Sequence, residues 1–149
     1  PEIVNITINN GNSISLNPNA TTIVEIVVVA QDFNGEGDIN SINATFFDNI
    51  ASAYGNADDN NDHYTNNSCF IDYEYGDQYE VAGNCSFQVN YYANNATWNA
   101  TVFLTDNVFR HSLFQIQSSG LADDLGYCLS IRRSYQRGHC NRPPCDFFI

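Results

Sequence analysis

Residues 23–30, with the sequence IVEIVVVA, decide the fold class of this chain. Val24, Ile26, Val28 and Ala30 occupy every second position, and most side chains in the run are β-branched. In an extended chain alternate residues point to the same face, and β-branched side chains pack well on a pleated surface. The run therefore predicts a β-strand with these four residues on its inward face.

Five further runs show the same alternation and are separated by clusters of Gly, Asn and Asp. Their predicted inward faces are Val4, Ile6 and Ile8; Ile42, Ala44 and Phe46; Cys69, Ile71, Tyr73 and Tyr75; Cys85, Phe87, Val89 and Tyr91; and Trp98, Ala100, Val102 and Leu104. Six short strands with turns between them predict an all-β antiparallel sandwich, for which residues 113–117 or 127–131 would supply a seventh strand. The stretch 56–67 is predicted to be a loop, because it is too polar to bury.

Charge is distributed unevenly along the chain. The 149 residues include 17 Asp and Glu, five Arg and no Lys, and the formal net charge is −12. Residues 1–107 contain 14 of the acidic residues and no basic ones, whereas residues 108–149 contain all five arginines. We therefore expect a domain at 1–107 and a basic, irregular, Cys-containing tail at 108–149. The tail either docks on an acidic surface or is accidental sequence from a shifted reading frame.

This composition argues against several classes of function. Nucleic acids and anionic membranes are bound by clustered Lys and Arg, which the acidic body lacks. No apolar run reaches the roughly 20 residues of a transmembrane helix, so no membrane span is expected. No set of nucleophile, base and acid stands out, and we expect the chain not to be an enzyme. Because it begins with Pro1 and not with Met, we expect it to be processed or cut from a longer protein.

Cys69 and Cys85 lie on neighbouring predicted strands, both in the inward register. Their midpoint falls between Gly76 and Gln78, where a hairpin would turn. Opposed residues of an antiparallel pair have their Cβ atoms close together, so we expect a disulfide and therefore an oxidising compartment outside the cytosol. Two buried free thiols are the alternative. The three tail cysteines are an odd number, so one of them stays free or pairs with another chain.

Seven Asn-X-Ser/Thr sequons lie in the first 107 residues, which is more than composition alone predicts. Their asparagines are Asn5, Asn19, Asn43, Asn66, Asn84, Asn95 and Asn99. Four of them fall on the polar faces of predicted strands, and Asn19, Asn66 and Asn95 fall in predicted turns. Since an N-linked glycan requires a surface position, all seven are candidate glycosylation sites. The alternative is that asparagine is simply the polar filler of this sequence.

Residues 32–39, DFNGEGDI, are similar to the first eight positions of a calcium-binding loop. The candidate ligands are Asp32, Asn34, Glu36 and Asp38. Glycine at the sixth position and isoleucine at the eighth match such loops, but the twelfth position is Asn43 where a bidentate Glu is required. A glycine-rich turn between two strands explains the same residues and is favoured. No cofactor is expected, with calcium at these residues as the alternative.

Two other groups of residues have both a functional and a structural interpretation. The acidic stretch 58–63 is either a weak site for a hard cation or a solvated loop, and the loop is favoured. The aromatic cluster consists of Tyr73, Tyr75, Tyr79, Tyr91, Tyr92 and Trp98. Exposed rings of this kind stack on sugars, but the inward register of Tyr73, Tyr91 and Trp98 places half of the cluster in the predicted core.

Residues 27–35 (VVVAQDFNG) and 38–46 (DINSINATF) resemble a stretch found in immunoglobulin-like modules of archaeal cell-surface proteins. Residues 85–92 (CSFQVNYY) and 97–107 (TWNATVFLTDN) are similar to the cysteine, double-tyrosine and tryptophan pattern of the same modules. The resemblance covers residues 3–107 and implies an immunoglobulin-like β-sandwich at the cell surface. Such modules serve as spacers, adhesins, filament subunits and envelope lattice units, so no catalytic residues carry over.

We therefore expect an extracellular structural or adhesive module, a subunit of an archaeal surface filament or envelope layer. Its partners would be other copies of itself or other surface proteins, joined through edge strands and through the basic tail docking on the acidic body of the next copy. The competing interpretation is an adhesion module that binds carbohydrate or calcium.

Overall fold

Eight β-strands and two short 3₁₀ helices make up the chain in a computed structural model that describes residues 1–108 and the backbone of residues 111–118. The strands are β1 (Glu2–Ile8), β2 (Thr21–Gln31), β3 (Ile39–Asp48), β4 (His63–Asn66), β5 (Phe70–Asp72), β6 (Glu80–Asn90), β7 (Trp98–Asp106) and β8 (His111–Ser118). The 3₁₀ helices are Asn9–Gly11 and Glu36–Asp38.

The strands form two four-stranded antiparallel sheets packed face to face. One sheet has the order β1-β2-β6-β5 and the other has the order β4-β3-β7-β8. The immunoglobulin fold places its first, second, fifth and fourth strands in one sheet and its third, sixth and seventh in the other. The chain has this arrangement with β4 added at the edge beside β3, which confirms the predicted all-β, immunoglobulin-like sandwich.

The core is built from the inward faces predicted for β2, β3 and β7. All of these residues are buried, from Val24 on β2 to Leu104 on β7. Trp98 stacks on Phe46 with 4.7 Å between ring centroids, and its indole Nε1 donates a hydrogen bond to the Asn94 carbonyl at 3.0 Å. A buried tryptophan with its N–H paired combines a large apolar area with no orphaned donor.

The predicted face of β1 is wrong at its first position. A β-bulge lies between Ile3 and Asn5 in the pairing with β2, and it shifts the alternation by one residue. Ile3 is consequently buried, whereas Val4 is 51% exposed. Ile6 and Ile8 face the core as predicted.

Three tyrosines that were predicted to face the core are exposed. Strand β5 ends at Asp72, whose carboxylate accepts the Glu74 N–H at 3.0 Å and turns the chain before Tyr73 and Tyr75. Strand β6 ends at Asn90, and a turn closed by the Ala93 N–H carries Tyr91 away from the core. In the first case an aspartate side chain bonds to the backbone ahead, and in the second a backbone turn forms, so the alternation ends earlier than the apolar residues indicate.

Strand β4 lies within the stretch 56–67 that was predicted to be entirely loop. It pairs with β3 and buries His63 and Tyr64. The His63 ring stacks on Phe47 at 5.8 Å, on the outer face of the sheet. Four residues are too few for a period-2 pattern to stand out against polar neighbours, so the prediction was wrong here.

The disulfide between Cys69 and Cys85 is confirmed. Cys69 lies directly before β5, in which Phe70 pairs with Asn84, so the two cysteines oppose each other on neighbouring strands. Their Cα atoms are 4.5 Å apart, the spacing of a non-hydrogen-bonded antiparallel pair. The tail cysteines Cys128, Cys140 and Cys145 lie outside the described residues.

Strand β8 contains the first of the two segments considered for a last strand, residues 113–117. It pairs with β7 along its whole length, from His111 opposite Thr105 to Ser118 opposite Trp98. The sandwich therefore takes its final strand from within residues 108–149. The other segment, residues 127–131, lies outside the described residues.

A candidate metal centre at the loop end of the sandwich

Three connections meet at one end of the sandwich, which we call the loop end: residues 32–38, 73–79 and 106–108. The Asp32 N–H donates to the Tyr79 carbonyl at 2.8 Å, and the Glu36 N–H donates to the Gln78 carbonyl at 2.9 Å. The Asn107 N–H donates to the Asp38 carbonyl at 2.8 Å. Backbone hydrogen bonds therefore join all three connections into one surface.

Asp32, Asp38 and Asp106 bring one carboxylate each to the loop end. One oxygen from each side chain lies within 4.8 Å of the other two. Asp32 is 3% exposed and Asp106 is fully buried, while Asp38 is partly buried. Because three carboxylate oxygens lie this close together and two of the side chains are buried, this grouping is the candidate metal centre of the described residues.

The backbone fixes each carboxylate in place. Asp32 follows β2, and its Oδ1 accepts the Asn34 N–H at 2.9 Å, in a turn that Gly35 completes with a φ of +119°. Asp38 ends the 3₁₀ helix Glu36–Asp38. Asp106 ends β7, and its Oδ1 accepts the Val108 N–H at 3.0 Å. Backbone N–H groups thus hold the Oδ1 atoms of Asp32 and Asp106, and Asp38 is positioned by the 3₁₀ helix that it ends.

Asp32 also has a cationic neighbour. The amino group of Pro1 lies 3.2 Å from Asp32 Oδ2 and is itself buried. This contact offsets part of the cost of burying the carboxylate.

The ligand set differs from the one proposed from the sequence. Asp32 and Asp38 come together as expected, but Asn34 is exposed and Glu36 lies outside the group of three. Asp106 takes their place from 68 positions beyond Asp38. The described arrangement differs from a local calcium loop of the EF-hand type in that residues 32–38 meet a carboxylate from a distant strand. Asp106 appeared only within residues 97–107 of the family resemblance and was not proposed as a ligand.

Exposed aromatic rings surround the carboxylates. Phe33 is 75% exposed and lies 6.3 Å from the ring of Tyr79. Tyr73 and Tyr75 are also exposed, and the Tyr73 hydroxyl donates to the Ile39 carbonyl at 2.9 Å. Tyrosines predicted as core or as sugar-stacking residues thus lie at the same end as the carboxylates, together with Phe33, which the sequence did not single out. Tyr91 and Tyr92 lie beyond the other end of β6, in an edge-to-face pair.

The acidic stretch 58–63 uses its carboxylates to order its own loop. Asp58 accepts hydrogen bonds from the Thr65 hydroxyl at 2.7 Å and from the Thr65 N–H at 3.1 Å, and its Oδ1 lies 3.0 Å from His63 Nδ1. Burial alone would raise the pKa of Asp58, but these hydrogen bonds outweigh it and hold the pKa below its usual value. Asp59 accepts the N–H groups of Asp62 and Asn61, which lower its pKa as well.

The seven sequon asparagines differ in exposure. Asn5, Asn19 and Asn95 are exposed, whereas Asn43, Asn66, Asn84 and Asn99 are partly buried. Asn66 is the last residue of β4, paired with Ala44 of β3, and not part of a turn as predicted. Its Nδ2 donates to the Ser86 carbonyl of the other sheet at 3.0 Å.

In the part of the chain that the structure describes, no helix combines the length and the apolar character that crossing a membrane requires. No protein-family model matches the sequence, and no curated protein matches it. The functional interpretation therefore rests on the geometry of the described residues.

Proposed function

We propose that this chain is an extracellular structural or adhesive module of a cell-surface assembly, and that its loop end binds Ca²⁺. The convergence of Asp32, Asp38 and Asp106 carries the proposal. The Cys69–Cys85 disulfide supports the location, because disulfides persist in oxidising compartments and are rare in the cytosol. The resemblance to modules of archaeal surface proteins supports the role in an assembly.

Calcium is the cation that suits these ligands. It is a hard ion that takes six to eight oxygen ligands in flexible geometry, and it accepts carboxylates from separate parts of a chain. Three carboxylates supply a formal charge of −3, and neighbouring carbonyls and water would complete the shell. Extracellular calcium modules bind with Kd values of about 10⁻⁴–10⁻³ M, which suits a centre with few side-chain ligands.

A cation at this position would join the two sheets. Asp32 directly follows β2 in one sheet, whereas Asp106 ends β7 in the other. Asp38 adds the connection that leads into β3. Binding only to the folded arrangement stabilises it, so Ca²⁺ would rigidify the loop end and present its aromatic rings in a fixed orientation.

Carbohydrate is the second candidate ligand, and the exposed rings of Phe33, Tyr73 and Tyr75 favour it. Aromatic faces pack against the apolar faces of sugar rings, and a cation beside them would bind sugar hydroxyl oxygens. The loop end combines both features on one surface. A module of this kind would adhere to surface glycans in a calcium-dependent manner.

Association with other copies would use the sheet edges. Strands β1 and β5 are the edges of one sheet, and β4 and β8 are the edges of the other. Edge strands offer unpaired backbone groups to a neighbouring strand, and β1 is the longest edge strand whose side chains are described. A filament or envelope layer of an archaeal surface is the assembly that the resemblance suggests.

Imaging and a glycan array test the proposed role together. The purified chain is imaged by electron microscopy and applied to the array in Ca²⁺ and in EDTA, beside the variants Asp106→Asn and Asp59→Asn. We expect ordered particles or glycan binding in Ca²⁺ for the wild type and for Asp59→Asn, which changes a carboxylate at the opposite end. If the wild type loses that property in EDTA, and Asp106→Asn lacks it in Ca²⁺, the proposal is supported. A chain that stays monomeric and binds no glycan in Ca²⁺ contradicts it.

A further inference from the structure

We propose that folding closes the sequons at Asn43 and Asn99 to N-glycosylation, while the sequon at Asn19 stays open in the folded chain. Whether glycosylation occurs before or after folding would then decide which of these three asparagines are glycosylated. The reasoning starts from the chemistry of the transfer and from the burial of the threonines in these sequons.

N-glycosylation requires both ends of a sequon. The side-chain Nδ2 attacks the anomeric carbon of a lipid-linked oligosaccharide, and the bond from that carbon to the phosphate oxygen breaks. The lipid phosphate or pyrophosphate leaves with the bonding electron pair, and the amide nitrogen gives one proton to a base of the transferase. The hydroxyl of the Ser or Thr two residues later must reach the enzyme for the sequon to be recognised.

The hydroxyls of the two closed sequons are buried opposite each other. Thr45 belongs to the sequon of Asn43 and Thr101 to the sequon of Asn99, and the two threonines are direct partners in the β3–β7 ladder. Thr45 is 8% exposed and Thr101 is 1% exposed. Both hydroxyl oxygens are buried. The two threonines lie on the outer face of the sheet, so a transferase can contact their hydroxyls only after the groups that cover this face move or the strands open.

The amide of Asn43 is also engaged. In the orientation that satisfies its hydrogen bonds, Nδ2 donates to the Asn67 carbonyl at 2.7 Å and to the Ile42 carbonyl at 3.1 Å. A glycosylated nitrogen has a single N–H, so modification removes at least one of these bonds. Asn99 is partly buried, and its Oδ1 is fully buried. The Asn43 amide is therefore held by two backbone carbonyls, and the Asn99 amide is partly covered by the fold.

The sequon at Asn19 has the opposite properties. Asn19 is exposed, with a φ of +58° in a turn closed by the hydrogen bond from the Ala20 N–H to the Asn17 carbonyl. Its threonine, Thr21, is exposed at the first position of β2. A transferase can bind this segment without breaking the interior of either sheet. Local openings of a turn are also far more frequent than openings of central strands.

The inference rests on the extracellular location included in the proposed function, since only an exported chain meets the transferase. The test is independent of that location. The full chain is made by cell-free synthesis under oxidising conditions, with an oligosaccharyltransferase and its lipid-linked donor either present during synthesis or added after folding is complete. Site occupancy is then measured by mass spectrometry of peptides, with Thr21→Ala as the control that removes the sequon of Asn19.

We expect Asn19 to be modified in both experiments at rates within a few-fold of each other. Asn43 and Asn99 should be modified during synthesis, and roughly a hundredfold more slowly once the chain has folded, because transfer then waits for a local opening that uncovers the Thr45 and Thr101 hydroxyls. Modification of Asn43 or Asn99 in the folded chain at the rate seen during synthesis overturns the proposal. If folding slows the modification of Asn19 as much as that of Asn43 and Asn99, the proposal is overturned as well.

Discussion

Gly83 of β6 and Ile42 of β3 face each other across the interior of the sandwich at a distance that leaves no room for a further carbon atom. A Cβ added at Gly83 would lie 2.5 Å from Ile42 Cδ1 and 3.6 Å from the Cβ of Val28. Glycine weakens an isolated strand, so its presence in the middle of β6 indicates close approach of the two sheets. The disulfide at Cys85 lies two residues further along the same strand.

Gly83→Ala is expected to lower the free energy of unfolding by about 1–2 kcal/mol, because the added methyl overpacks the core. Ile42→Val removes the clashing methyl, so the double variant should recover part of the loss in a double-mutant cycle measured by urea denaturation. Gly37→Ala is the matched control, since nothing lies within 4 Å of a Cβ added there. Additive effects of Gly83→Ala and Ile42→Val would show that the two positions do not touch.

The Cys69–Cys85 disulfide closes a loop with a sequence separation of 16 residues. Such a cross-link restricts the unfolded chain and contributes about 3 kcal/mol in the chain-entropy account. The double variant Cys69→Ala, Cys85→Ala should therefore unfold at a clearly lower urea concentration than the oxidised wild type. A wild type that keeps its full stability after reduction, with both thiols shown to be free, would contradict this expectation.

Asp58 should make the stability of the β4 region depend on pH. Its pKa is lowered in the folded state, because the hydrogen bonds from Thr65 and His63 outweigh the effect of burial. Because its pKa is lower in the folded state, the ionised carboxylate stabilises the fold fully at pH values above the unfolded-state pKa of about 3.9. This stabilisation is lost as the pH falls through the folded-state pKa. Since Asp58 is about half exposed, Asp58→Asn should cost only about 1 kcal/mol at pH 7.

The difference between Asp58→Asn and the wild type should shrink as the pH falls through the lowered pKa of Asp58 in the folded state, because below it the carboxyl is protonated in both states. Thermal denaturation of both proteins across this pH range measures it. A difference that stays constant from pH 7 to pH 2 would assign the effect of the substitution to packing and not to charge.

The parts of the fold that could be predicted are those in which long strands keep a strict alternation. The faces containing Val24, Ile42 and Val102 are buried as predicted, because one side of each strand contacts the other sheet along its whole length. The alternation failed at Val4, where a bulge shifts the register, and at Tyr91, where the strand has already ended. Both failures depend on backbone hydrogen bonds, which side-chain hydropathy does not report.

The candidate metal centre could be predicted only in part. Asp32 and Asp38 are close in sequence and belong to one turn, so a local motif identified them. Asp106 joins them only because β3 and β7 are paired with Ile39 opposite Asp106. Such a ligand follows from strand register over a long sequence separation, and a search for local spacing cannot find it. The disulfide was predictable because its hairpin is local.

Calcium binding at the loop end is tested most directly by isothermal titration calorimetry on the full chain, combined with thermal denaturation in Ca²⁺. A concentration of about 10 mM is about 10 to 100 times the Kd values of extracellular calcium modules. We predict one binding event and a rise in Tm for the wild type and for Asp59→Asn, and neither for Asp106→Asn. A ligand at 100 times its Kd stabilises the folded state by about 2.7 kcal/mol, which is readily measured. No binding heat and no change in Tm for the wild type, or equal binding by Asp106→Asn, would contradict the proposed centre.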